Sequence, residues 1–221
     1  MQKRAPRLSV VLLSYLGIVL AWSLFYLCIA PWREALAFPF SELLSQACKL
    51  LIWALPAFLL IRKYSDTLFF SWETLFRSSF PTKQVSLLSL AILLFCILRS
   101  LLSNGRIVFH VDALAEKFIS TVLFVDLTEE LVFRGWLLNA TWKRVKNWLV
   151  LLLNALLFLC IHFPLWVFEG SFAANFANGS FLTICLLSLL FSYVFLSSKN
   201  IWATITLHMV WNFCIILFFG L

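Results

Sequence analysis

The chain has 221 residues, of which 63% are hydrophobic and 12% charged, with a formal net charge of +7 and a mean hydropathy of +0.98. A soluble domain carries about 25% charged residues, so this composition excludes an ordinary water-soluble fold. It also excludes nucleic-acid binding, because the basic residues sit in short clusters between apolar runs and no basic, aromatic-interleaved soluble segment is present.

A spanning helix needs about 20 mainly apolar residues. In chain order the candidate spans are Leu8–Ala30, Ser41–Ile61, Val85–Ser103, Ala113–Thr141, Trp148–Phe163, Phe181–Leu196 and Ile201–Gly220. They tile nearly the whole chain, which predicts a single integral membrane domain over 1–221 with an all-α, polytopic architecture of about seven spans. The first span follows Lys3, Arg4 and Arg7 but is longer than a signal-peptide core and is followed by no small-x-small cleavage site. The fifth and sixth spans are short, and the apolar connection 164–180 is a candidate re-entrant loop. Cys28, Cys48, Cys96, Cys160, Cys185 and Cys214 all lie in or near apolar runs with no Cys-x-x-Cys pair, so they read as buried hydrophobes rather than a disulfide or zinc framework.

Loop charge sets the expected orientation. With the N-terminus inside, one side holds Lys3, Arg4, Arg7, Arg62, Lys63, Arg77, Lys83, Lys143, Arg144, Lys146 and Lys199, and the other holds Arg33, Arg106 and Lys117. Cytoplasmic loops are enriched in Lys and Arg, so this division predicts a cytoplasmic N-terminus. The short chain and abrupt N-terminus point to a bacterial plasma membrane.

The fourth span breaks the apolar pattern with Asp126, Glu129, Glu130 and Arg134. Each charge at a helix centre costs about 2.5–3.5 kcal/mol on insertion scales, so this helix should face the bundle interior. Glu130 and Arg134 share a face and can pair, whereas Glu129 lies about 100° away, outside that pair. On the acids alone two readings stay open: a structural polar cluster, or a general base in an apolar site. His110 falls in a predicted loop and reads as a surface residue. His162 ends the fifth span, and His208 and Asn212 share one face of the seventh. Counted along ideal helices from the nearest basic clusters, Glu129, His162, His208 and Asn212 lie roughly 14–24 Å deep, so the four can converge in mid-membrane.

Three motifs therefore occur in order: Glu129-Glu130-Leu-Val-Phe-Arg134-Gly135, Phe158-x-x-x-His162 and His208-x-x-x-Asn212. Together they resemble the CAAX-protease and bacteriocin-processing (Abi) family of intramembrane glutamic endopeptidases, over about 114–221. The resemblance implies a helical bundle with a water-accessible cavity. Glu129 would activate a water, His162 would orient it or share its proton, and His208 and Asn212 would donate to the oxyanion. Glu130 and Arg134 would shape the site. The implied substrates are hydrophobic or membrane-bound peptides, through CAAX-type or leader-type processing, met in the lipid bilayer. A zinc ion would need three or more ligands from Glu129, Glu130, His162 and His208 and would consume the base and oxyanion donors, so no cofactor is expected. Two rivals stand beside this reading. One is a proteolytically inactive scaffold or bacteriocin self-immunity protein. The other is a proton-coupled transporter, which the lack of internal repeats and of paired broken helices disfavours.

Overall fold

Apolar runs that cannot reach water must satisfy every backbone N–H and C=O internally, and helices do this within one segment. The computed structural model describes residues 5–37 and 40–220, and every regular element among them is helical. Ten helices can be distinguished: α1 (Leu8–Arg33), α2 (Phe40–Thr67), α3 (Trp72–Arg77), α4 (Thr82–Asn104), α5 (111–141), α6 (Asn147–Cys160), α7 (Phe163–Phe168), α8 (Phe172–Ala177), α9 (Ser180–Ser198) and α10 (Ile201–Phe219). Six segments are long and apolar enough to cross a membrane: α1, α2, α4, Asn147–Phe168, α9 and α10. The expected fourth span forms the continuous helix α5. It falls outside that apolar set because its middle carries Asp126, Glu129, Glu130 and Arg134. The connection 164–180 folds into the short helices α7 and α8.

Polar and apolar side chains are distributed inside out relative to a soluble protein. Along α1, Leu13, Leu20 and Leu27 are 66%, 62% and 74% exposed, while Asp126, Glu130, Arg134, Ser188 and Thr204 are fully buried. Such a surface suits lipid, and the interior must then pair its own polar groups. The six cysteines are free; Cys28 is exposed on the outer surface of α1, which departs from the expectation that all are buried, and only Cys96 and Cys214 are fully enclosed.

The helices are locally irregular where the sequence demands it. Pro31 and Pro56 lack an N–H, and each follows a wide π-helical turn, at Phe25–Ile29 and Leu50–Ala54. In α5 the single α-helical turn Asp126–Glu130 is flanked by π-helical stretches, Phe118–Val125 and Leu131–Leu138. The widened ladder there needs outside donors, and Asn154 Nδ2 supplies one to the Phe133 carbonyl at 3.0 Å.

Helix α5 is the central element. It packs on α2, α6, α9 and α10, and Gly135 lets it approach closely: a Cβ at that position would come within 2.9 Å of Ile61 Cδ1 on α2. An aromatic core of Trp22, Phe25, Trp53, Phe133, Trp136 and Phe158 joins α1, α2, α5 and α6, with Trp22 stacked on Phe25 at 4.7 Å. Helix α1 is pinned by polar contacts as well, Trp136 Nε1 donating to Ser14 Oγ and Tyr15 Oη to the Leu157 carbonyl, each at 2.8 Å. A second core of Cys96, Phe191, Ala203 and Leu207 joins α4, α9 and α10.

Candidate active site

The Asp126–Glu130 turn presents three carboxylates within one helical turn, and two sides of α5 use them differently. Glu130 points into the sealed interior. Its Oε1 accepts from Arg134 Nη1 at 3.0 Å and from His208 Nδ1 at 2.9 Å. Arg134 Nη2 in turn donates to the carbonyl and the hydroxyl of Ser188, both at 2.9 Å. Its guanidinium lies 4.8 Å from the Phe158 ring centre and 5.4 Å from that of Phe191. The pairing expected of Glu130 and Arg134 is therefore present, and it extends to α9 and α10.

Glu129 faces a cavity of about 570 Å³ that is also lined by Lys49, His162, His208 and Asn212. Its Oε1 is 3.2 Å from Lys49 Nζ, and its Oε2 is 3.9 Å from His208 Nε2. Helical spacing leaves Glu129 outside the Arg134 pair and assigns it no other partner; the structure pairs it across the bundle with a lysine of α2. Lys49 is itself 8% exposed, its ammonium 4.8 Å from the Trp53 ring centre and 5.6 Å from that of Trp22. Those aromatic faces and the carboxylate together compensate a cation inside an apolar helix.

His208 stands among all three acids of this turn. Besides its contacts with Glu130 and Glu129, its Nε2 lies 3.5 Å from Asp126 Oδ1, and the ring packs 4.8 Å from Phe191. Asn212, one turn further along α10, donates from Nδ2 to the same Asp126 oxygen. An amide has two N–H donors, so this bond fixes the side chain and leaves a second donor. His162 sits at the turn between α6 and α7, and its Nδ1 is 2.8 Å from the Phe158 carbonyl. A carbonyl can only accept, so in the neutral ring Nδ1 carries the proton and Nε2 is the acceptor.

All six residues expected at the site thus lie around one turn of α5. His110, expected at the surface, is exposed, its backbone N–H bonded to the Leu217 carbonyl at 2.7 Å. Two further members, Asp126 and Lys49, go beyond the expected set. The signal for Asp126 is its spacing, three and four residues before Glu129 and Glu130 on the same side of one helix. The signal for Lys49 is its place as a lone cation well inside an otherwise apolar span.

The donor set does not fit a resident zinc ion. Glu129 would have to release Lys49, and His208 would have to release Glu130. No group of three or more His, Cys, Asp or Glu side chains suited to a metal ion occurs among the described residues.

The arrangement offers a carboxylate on the wall of a cavity large enough for water and a peptide segment, with two imidazoles and an amide in the same lining. These are the parts needed to activate a water and to stabilise an oxyanion. Comparisons with curated proteins and with solved structures gave no match. Residues 112–214 match the family described as type II CAAX prenyl endopeptidase Rce1-like. That stretch holds Asp126, Glu129, Glu130, Arg134, His162, His208 and Asn212 but not Lys49, and over it the chain is similar to Rce1-like CAAX endopeptidases.

Proposed function

We propose that the protein is an intramembrane endopeptidase that hydrolyses hydrophobic or membrane-bound peptides with a water activated by Glu129. The family match supports a CAAX-type membrane protease in general. The observation that carries the finer reading is the position of Glu129 on the cavity wall while its neighbour Glu130 is locked in the interior. In this mechanism Glu129 takes a proton from the water as its oxygen attacks the scissile carbonyl carbon. His162 accepts from that water through Nε2 and orients it. His208, carrying protons on both ring nitrogens among Asp126, Glu129 and Glu130, donates from Nε2 to the oxyanion together with Asn212, and the proton held by Glu129 passes to the leaving amine as the C–N bond breaks. The substrate is a CAAX-type C-terminal segment or a leader-type peptide, and the chain resides in a bacterial plasma membrane with its N-terminus in the cytoplasm.

The Lys49–Glu129 ion pair is the one observation that favours an inactive scaffold, because it occupies an oxygen of the proposed base. One comparison separates the two. Purified wild type and Glu129→Gln in lipid are incubated with a pool of hydrophobic and isoprenylated peptides, and products are read by mass spectrometry. Cleavage by wild type that disappears in a folded Glu129→Gln is the expected result. Identical products from both would remove Glu129 from the mechanism.

A further inference from the structure

Among the described residues, three Lys or Arg side chains line the cavity that holds Glu129. Lys49 is paired with Glu129 at 3.2 Å, and Lys117 Nζ donates to the Gly220 carbonyl at 3.4 Å. Arg33, at the end of α1, is engaged differently. Its hydrogen bond among the described side chains runs from Nη1 to Ser45 Oγ at 3.2 Å, and its Nε is enclosed without an acceptor. Glu42 and Glu169 line the same cavity, yet neither pairs with it.

An arginine at the end of a spanning helix ordinarily extends its guanidinium outward, to water or lipid headgroups. The neighbouring Trp32 does face outward and is exposed, whereas Arg33 turns in toward the buried Ser45. A guanidinium has five N–H donors in a planar fork, so most of the bonding capacity of Arg33 is unused at the cavity wall. Gln46, next to Ser45 on α2, lines the same wall, and its Oε1 is enclosed without a donor. A fork of donors is satisfied by a carboxylate through two parallel N–H···O bonds. A free amide oxygen beside it can accept a backbone N–H.

The position relative to Glu129 follows from α2. Ser45 and Lys49 are one helical turn apart, about 6 Å along the axis. Arg33 therefore sits about one turn from the Lys49–Glu129 pair. A few residues of extended chain, at about 3.3 Å each, cover that separation.

We propose that Arg33 binds the free C-terminal carboxylate of the substrate, with Gln46 accepting from the N–H of its last residue, and so selects a chain end over an internal segment. The inference rests on the reading of Glu129 as the base at which cleavage occurs. It separates the two substrate types left open there. A C-terminal segment brings the anion that Arg33 lacks, whereas a leader-type peptide cut within a chain does not. Glu42 and Glu169 repel the same anion, so selection depends on direct hydrogen bonds to Arg33 rather than on the net charge of the cavity wall.

The test compares hydrophobic and isoprenylated peptides made as free acids with the same peptides carrying a C-terminal amide. Wild type in lipid should cleave the acids with a kcat/KM at least tenfold higher, the difference lying mainly in KM. Arg33→Gln should lose that preference by slowing the acids, and Arg33→Lys should keep part of it. Variants that slowed both forms equally would show a structural role only and overturn the assignment. Binding of fluorescently labelled peptides to the full chain carrying Glu129→Gln repeats the comparison without cleavage. There too the acids should bind at least tenfold more tightly than the amides. Equal binding of acids and amides, including none of either, would overturn the proposal. Acid preference in binding with no cleavage by wild type would instead sink the protease reading and leave the carboxylate site standing. An anionic phospholipid that copurifies with wild type and is lost from Arg33→Gln would place a lipid phosphate at this position and overturn the assignment to substrate.

Discussion

Glu129 and Glu130 are neighbours in sequence on one helix, yet they occupy opposite environments. Glu130 is fully buried, held by Arg134 and His208 in a network that joins α5, α9 and α10. Glu129 is 5% exposed, faces the cavity, and accepts a hydrogen bond from Lys49 of another helix, with His208 Nε2 further off at 3.9 Å. A residue step of 100° around the helix is enough to separate a carboxylate that builds the bundle from one that can meet a substrate. Charge in a membrane interior thus serves two purposes, and the number and rigidity of its partners tell them apart.

The sharpest way to break this comparison is to remove each side in turn. Arg134→Ala takes the arginine from the sealed network and leaves Glu130 buried without it. Breaking a buried pair by deleting one partner costs about 3–5 kcal/mol, so this variant should accumulate poorly and unfold at lower temperature in detergent. Glu129→Gln keeps the shape and an acceptor for Lys49, so it should lower the unfolding midpoint far less than Arg134→Ala, and it should lose about 10²–10⁴-fold in cleavage rate, the usual contribution of a general base. If instead Glu129→Gln unfolds the protein and Arg134→Ala merely slows it, the assignment of the two sides is inverted.

Lys49 sharpens the comparison from the cavity side. It holds one oxygen of Glu129, and two tryptophan faces hold it in place. In the proposed mechanism Lys49 is a positioning residue, setting the carboxylate against His162 and His208. Lys49→Met should reduce kcat about tenfold, equivalent to ~1.4 kcal/mol of barrier, with KM little changed. Lys49→Arg, which keeps the charge, should recover part of that loss. Under the scaffold reading the ion pair shields Glu129, and Lys49→Met would then expose activity that the wild type lacks.

Much of this architecture is legible in the sequence. The spans follow from hydropathy because a bilayer leaves the backbone so few choices. The convergence of Glu129, His162, His208 and Asn212 follows from helical spacing and depth, and the Glu130–Arg134 pair from its i,i+4 separation. What is not legible is whatever depends on packing between distant segments. Nothing in the spacing of Lys49 says that α2 delivers it to Glu129, 80 residues away. The bond from Asn212 to Asp126 joins two helices whose relative rotation only the packed bundle sets. The π-helical stretches of α5 likewise have no proline or glycine signal at their starts, and they are sustained by donors such as Asn154 on a neighbouring helix.

The smallest expected effect concerns how closely α5 can sit against α2. Gly135 lies in the helix interior, where Ala is preferred over Gly by about 0.8–1.0 kcal/mol. Propensity alone would make Gly135→Ala stabilising. The added Cβ, however, would meet Ile61 Cδ1 at 2.9 Å and Ile201 Cδ1 at 3.8 Å. Ile61 is fully buried, so its end methyl has little room to turn, and overpacking a filled core costs about 1–3 kcal/mol. The two effects oppose each other, and the steric one is the larger, so Gly135→Ala should lower stability by about 1 kcal/mol. Pairing it with Ile61→Val, which removes the offending methyl, should restore the midpoint in a thermal melt to near the wild-type value. A Gly135→Ala variant more stable than wild type would mean that α5 and α2 can separate to admit the extra methyl. The packing of α5 on α2 would then be set by something other than the close approach at Gly135.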